Sequence, residues 1–305
     1  MIFCFQINTL SNHQIDQMKS HTTYKSLIQL TTVLTLGMSL LSACEKDSNT
    51  IPGGAKPIVE AYLVPNKPIA IKIKKEIAYN EGLTNKETLI PGLSIKITGD
   101  GQTYLLKPYA GADSLYRSEP NVKLKVGVTY SLSFDYNGKT VSASTVIPTK
   151  PVSLKSDLTS VVRTRQVITS TGSFGRDVDG NIDVNLSWAN PKSEYHFVVA
   201  ENIEPKLDLV ITLPTSSTAT FNNFNNRFRS QPVQGTETRL RTQQFQYFGR
   251  YNVVLLKVNP DYAALYNAEG TTSQNISTPT TTITNGLGIF TGINADTLKF
   301  QVKER

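Results

Sequence analysis

The residues of this chain that could do chemistry are few, and their types and spacing suit binding better than catalysis. Of the three histidines, His13, His21 and His196, only His196 lies within the main body of the chain. It sits in "EYHFVVA", where strand alternation turns it away from Tyr195 and Phe197, so it reads as a strand-face residue rather than a general base. A glycosidase-type carboxylate pair needs only two acids brought together by the fold, and no pair stands out along this sequence. The stretch "GRDVDGNID" alternates Asp177, Asp179, Asn181 and Asp183, which are oxygen donors of the kind calcium takes. It lacks the later ligands of a calcium loop, above all the closing glutamate, and Asp-Gly is independently a favoured hairpin turn. The expectation is therefore a turn, with no catalytic residue, no metal and no cofactor.

Two features suit recognition. In "FNNFNNRFRSQP" the residues Phe221, Phe224, Arg227, Phe228 and Arg229 form a candidate interaction loop, because aromatics and arginine dominate interfaces and long loops often carry function. The alternative is that the phenylalanines tuck under the loop as a small satellite core. Trp188, the only tryptophan, has the ring of a sugar-stacking platform. Its place in the alternation Ile182, Val184, Leu186, Trp188 predicts core packing instead.

One of the two cysteines, Cys44, follows Leu41, Ser42 and Ala43, and behind these runs "SLIQLTTVLTLGMSL" after Lys19 and Lys25. A charged start, an apolar middle and small residues before a cut are the parts of a signal peptide. The run is interrupted by Gln29, Thr31, Thr32, Thr35 and Ser39 and falls short of the ~20 mainly apolar residues of a membrane span. The pattern resembles a bacterial lipoprotein signal, in which lipid joins the cysteine sulfur and the peptide is cut just before it. That resemblance implies that Cys44 becomes the first residue and carries a covalent lipid. Residues 1–43 are then leader, with Met18 as the expected start. Because one acyl chain binds a bilayer only marginally, the several chains of a mature lipoprotein are what hold it there.

Without Lys19, Lys25 and Asp16, the 31 basic and 24 acidic residues become 29 and 23, a formal charge of +6. The basic residues are spread along the chain with no patterned helix, so nucleic acid is not an expected partner; the anionic outer-membrane surface is the nearer one. About 260 residues remain, enough for two modest domains. Their wealth of Thr, Val, Ile and Tyr is a strand composition.

The elements follow from that composition. Residues 44–56, "CEKDSNTIPGGAK", form a polar tether. From 57 to 150 short alternating runs succeed one another: "IAIKIKK" sets Ile69, Ile71 and Ile73 on one face, "LSIKITG" does the same for Leu93, Ile95 and Ile97, and "TYSLSFDY" leads into the hairpin turn Asn137-Gly138. This predicts an immunoglobulin-like or transthyretin-like sandwich. Pro148 and Pro151 mark a short stiff hinge. From 151 to 305 a second β-rich region is expected, fibronectin type III-like in its Trp188 late in one strand and Tyr195 early in the next. "RYNVVLLKV" predicts a buried strand, "PDYAALYNAEG" one short helix, and "NGLGIF" and "DTLKFQV" the closing strands. The fold class is mainly β.

Taken together, the Cys44 motif, "PIVEAYLV", "IPGLSIKITGDGQTYLL", "GVTYSLSFDYNGKTVSASTVIP", "LSWANPKSEYHFVV", "YNVVLLKVNPDYAALY" and "NGLGIFTG" resemble a family of Bacteroidetes lipoproteins, domain of unknown function 4249 (DUF4249). The resemblance runs from about Cys44 to Lys303. It implies an outer-membrane lipoprotein, non-catalytic, acting as a binding or accessory partner of a TonB-dependent transporter. A carbohydrate-binding surface lipoprotein and a structural subunit of a surface fibre are the alternatives. Lys46 and Asp47 after the cysteine resemble a surface-export signal, which implies the cell surface rather than the periplasmic face.

Overall fold

Alternation writes itself directly into the first strands. The computed structural model describes residues 55–76, 90–109, 115–167, 179, 182–212, 225–267 and 281–305; the expected leader, Cys44 and most of the tether lie outside them. Strand β1 (Pro57–Leu63) buries Val59, Ala61 and Leu63 and turns Tyr62 to the other face. In β2 (Ala70–Lys75) and the residue before it, Ile69, Ile71 and Ile73 are fully buried, each contributing about 1.5–3 kcal/mol of burial against the entropy of ordering. Then come β3 (Ile95–Gly99), β4 (Gln102–Pro108) and β5 (Leu115–Arg117). The hairpin of β6 (Thr129–Tyr136) and β7 (Lys139–Val146) turns at Asn137 and Gly138, with φ of 49° and 72°. Both residues therefore take the left-handed conformation that matches the twist of the flanking strands.

The second half contains β8 (Val152–Ser156), β9 (Ser160–Arg163), β10 (Gln166–Val167), β11 (Asp183–Ala189), β12 (Tyr195–Asn202), β13 (Asp208–Leu209), β14 (Ile211–Thr212), β15 (Arg227–Arg229) and β16 (Glu237–Arg241). A 3-10 turn (Thr242–Gln244) leads to β17 (Tyr247–Val258), the helix α1 (Pro260–Asn267) and β18 (Leu287–Glu304). Pro260 occupies the first helical position, where its missing N–H costs nothing. No helix among the described residues is long and apolar enough to cross a membrane.

A main sheet runs in the order β15-β12-β17-β18-β1-β2-β5-β4-β3-β6-β7, and β18 is its spine. Residues 287–292 of β18 pair in parallel with β1, while 293–302 pair antiparallel with β17. One strand thus serves both halves of the molecule. The two closing strands expected from "NGLGIF" and "DTLKFQV" are a single one. A separate sheet, β16-β11-β8, packs across the β12-β17-β18 region.

Two hydrophobic cores result, and the architecture is mainly β with sandwich-like sheets. The first core lies among β1 to β7 and is completed by Ile283 and Phe290 from the end of the chain. The second gathers Val184, Leu186 and Trp188 of β11 against Val198, Tyr251, Val253, Leu255 and Phe300. Ile182 departs from its expected place on that face: it precedes β11 and is 42% exposed. Residues 147–151, expected as a hinge, are strapped down. Asn294 Nδ2 donates to Pro148 O at 2.9 Å, Lys257 Nζ to Thr149 Oγ1 at 2.8 Å, and Lys150 Nζ lies 2.8 Å from Asp296 Oδ1. Residues 55–305 form one compact unit.

Candidate functional site

The outer face of the main sheet, away from the second core, carries a groove. Alternation places Phe197 and Val199 of β12, Leu256 of β17, Ile293 of β18 and Tyr62 of β1 on that face, and helix α1 lies beside it with Tyr262 and Tyr266. The two tyrosines are one helical turn apart and so point the same way. The edge strand β15 supplies Arg227, Phe228 and Arg229, with Asn225 before it, and Gln244 and Gln246 close the lining. The open groove has a volume of about 780 Å³, within the range of pockets that hold small ligands.

Aromatic rings build the helix side of this groove. Phe197 lies 4.6 Å from Tyr266 and 5.4 Å from Tyr262, Tyr62 lies 5.5 Å from Tyr262, and three of the four contacts, including Tyr262 on Tyr266, are edge-to-face. Such pairs are worth about 0.5–1.5 kcal/mol beyond their burial. The hydroxyls of Tyr262 and Tyr266 are hydrogen-bonded at 3.1 Å. Arg229 stacks over Tyr266, its guanidinium carbon 4.1 Å from the ring centroid, and also donates to the Tyr266 hydroxyl.

The electrostatics follow from burial. The Tyr62 hydroxyl is pushed up to about 12, first by burial and then by the nearby Glu60 carboxylate. Burial also raises Tyr262, helped by its hydrogen bond with Tyr266. Both rings therefore stay neutral donors at physiological pH. Among the described residues, the charged members of the lining are Arg227 and Arg229. The site offers apolar surface, neutral hydroxyls, amides and two cations. Those are tools of binding.

Several residues singled out by sequence take other roles. Phe221 and Phe224 lie outside the described residues, as do Cys44, Asp177 and Asn181. Arg227, Phe228 and Arg229 belong to an edge strand, not to a loop, because β12 offers them a pairing partner: Arg229 opposes Val199 and Arg227 opposes Glu201. Phe228 splits the two readings of this segment, since it lines the groove and also packs edge-on against Phe245 of the second core, 5.2 Å away. Trp188 is 4% exposed and lies 5.5 Å from the His196 ring, so it is a core residue and not a surface platform.

His196 is on the opposite strand face from Phe197, as expected, but that face is covered too, leaving it 1% exposed. Its Nδ1–H donates to Glu194 O at 2.9 Å. Burial lowers its basicity below that of free histidine. Asp179 accepts from Thr164 N and Thr164 Oγ1, at 2.9 and 2.7 Å, and lies 3.4 Å from Arg163 Nε. Burial works to raise its carboxyl, but the Thr164 and Arg163 hydrogen bonds outweigh that and hold it below the usual carboxylate range. Its oxygens serve a buried structural pair.

Tyr62, Phe197, Tyr262 and Tyr266 form the part of the site that sequence reasoning did not single out. A faint signal existed: Tyr62 stands with Glu60 on the outer face of "PIVEAYLV", and Tyr262 and Tyr266 stand at helical spacing.

Comparison with known proteins supports the domain family named by the sequence resemblance. Residues 49–299 match the family described as "Domain of unknown function (DUF4249)", and the chain belongs to that family. No curated protein matches it. Among solved structures it is similar to a segment of two fibronectin type III domains from chicken tenascin, at 11% identity and a TM-score of 0.22, over 80% of this chain and 99% of that one.

Proposed function

We propose that this protein is a lipid-anchored, non-catalytic binding protein of the outer membrane that works as the accessory partner of a TonB-dependent transporter, with the groove as its binding site. The observation that carries the binding part is the lining itself: aromatic, aliphatic, amide and arginine side chains converge on about 780 Å³ without a general acid or base among its described members. The anchor rests on the Cys44 motif, and the transporter on the sequence resemblance alone. Surface display follows the Lys46-Asp47 signal.

The carbohydrate alternative loses its platform with Trp188 in the core. The test is affinity purification of a tagged, natively lipidated protein from detergent-solubilised outer membrane, with Cys44→Ala as control and mass spectrometry of what accompanies it. A transporter recovered in stoichiometric amount supports the reading. Recovery of the protein alone from a well-solubilised membrane removes the transporter from it, and a ladder of polymers on unboiled gels turns it toward a fibre subunit.

A further inference from the structure

From the placement of lysines where the tether joins the fold, we infer that this end of the first half docks on the anionic headgroups of the bilayer that holds Cys44. This rests on the lipid anchor proposed above and names the surface that lies on the membrane.

The charge of the first half comes first. Among the described residues between 55 and 147, ten lysines and Arg117 stand against five carboxylates, Glu60, Glu76, Asp100, Glu119 and Asp135. Lys107 is paired with Glu119 and Lys125 with Asp100. Lysines are point charges on flexible stems, which suits a fluid layer of headgroups better than one shaped ligand.

The strand register shows which lysines gather where the chain enters. Pro57 of β1 opposes Lys75 of β2, and Lys56 precedes it, so both lysines flank the entry point. Gly286 lies against Pro57 O and Val141 Cγ1, which brings the start of β7, with Lys139, to the same end. Lys56, Lys75 and Lys139 are exposed, and none has an ion pair among the described residues. The two carboxylates beside them are engaged locally: Glu76 Oε2 accepts from Lys56 N at 3.0 Å, and Asp135 Oδ1 from Thr140 Oγ1 at 2.7 Å. Lys74, half-buried opposite Ile58, has a partner of its own and is not needed, because the end is net positive without it.

Charge alone does not choose this end. Lys67 and Lys123 are exposed at the other, where Asn66 N donates to Leu124 O at 3.1 Å. The tether makes the choice. Residues 44–54 join Cys44 to Ala55 and reach at most about 40 Å. To bring the far end to the bilayer, about 20 Å of that reach would run back along β1. The groove begins at Tyr62, about 17 Å along β1 from Pro57, and is left clear of the headgroups.

The test uses the full lipidated chain on vesicles of phosphatidylcholine alone and on vesicles with about one third phosphatidylglycerol, the anionic surface. Flotation with the neutral vesicles, against Cys44→Ala, reads the anchor by itself. Lysines are then acetylated with a succinimidyl ester, and each site is quantified by mass spectrometry. On anionic vesicles Lys56, Lys75 and Lys139 should label about fivefold more slowly than on neutral ones, the factor that ~1 kcal/mol of attraction per lysine gives. Lys67 and Lys123 should label alike on both, and about 0.5 M salt should abolish the difference. Lys75→Glu with Lys139→Glu should remove the protection of Lys56, and an unchanged melting temperature will show that this variant folds. A parent protein that floats but labels alike on both vesicles would overturn the docked end while keeping the anchor. Protection of Lys67 and Lys123 equal to that of Lys56, or protection that survives the double charge reversal, would also overturn it. A parent that floats no better than Cys44→Ala would overturn the anchor, and the docked end with it.

Discussion

Asn259 Nδ2 donates to Thr145 Oγ1 at 2.9 Å, tying the residue before helix α1 to the last strand of the first sandwich. The same nitrogen lies 2.9 Å from Val146 O, and Thr145 Oγ1 accepts in turn from the backbone N–H of Gly292 at 2.8 Å. These bonds hold α1 in place, and with it the tyrosine side of the groove. Asn259→Ala removes two donor contacts and should cost about 1–2 kcal/mol. Urea denaturation measures that loss, and faster limited proteolysis within 260–267 should accompany it. Unchanged stability would mean that the helix is held by its aromatic contacts and by the Thr291 hydroxyl, which donates to Asp261 Oδ1 at 3.0 Å.

Gly288 lies where β18 pairs in parallel with β1, opposite Val59. Its φ is +96°, and an added Cβ would fall onto the carbonyl of Val59. Because the obstacle is backbone in a paired strand, it cannot swing aside. Gly288→Ala should therefore destabilise by at least ~2 kcal/mol, combining left-handed strain with the clash. A thermal melt within a degree of the parent would disprove the close approach.

Removing the carboxylate of Asp179 strands a buried cation. Arg163 is 6% exposed, and its other contacts are the carbonyls of Thr242 and Phe245, at 3.2 and 3.0 Å. Asp179→Ala should cost about 3–5 kcal/mol, as breaking one side of a buried pair does. Since folding lowers this carboxyl's pKa, its contribution is present above the unfolded value near 4 and is lost as pH falls below that. Calcium titration of the parent protein provides a separate check, and a calcium affinity abolished in this variant would overturn the structural role.

His196 gives the fold a second acid-sensitive point. It is buried as the neutral imidazole, with Trp188 on one side, the Glu194 carbonyl at its Nδ1 and Lys257 opposite it in the register. Lys257 is itself buried, paired with Glu194 and donating to Thr149. Burial is the main cause of the lowered histidine pKa, and the Lys257 charge adds to it. The unfolded chain therefore binds the proton first, and stability should fall as pH drops below about 6.5. Urea midpoints at pH 7.5 and 5.5 should differ in the parent protein, and the difference should shrink in His196→Gln. An equal difference in both proteins would assign it to other groups.

Much of the fold was legible because one face of each strand is buried. With period-two alternation, Ile69, Ile71 and Ile73 or Val184, Leu186 and Trp188 announce both the strand and its inner face. The alternation fails where both faces are covered. In β12 the residues from His196 to Ala200 are all buried, because the groove and helix lie on one side and the second core on the other. It also fails at Ile182, where the strand has not yet begun.

By itself, then, the sequence determined the mainly β composition, the inward faces of its strands, the Asn137-Gly138 turn and the short helix behind Pro260, because each depends on near neighbours along the chain. Tertiary structure alone decided that "NGLGIF" and "DTLKFQV" are one strand, that Arg227–Arg229 pair with β12, and that Tyr62, Phe197 and Tyr266 meet around one groove. Tyr62 and Tyr266 are separated by most of the described chain. What joins them is β18, whose first part pairs with β1 and whose later part pairs with β17. No local pattern encodes that long-range pairing.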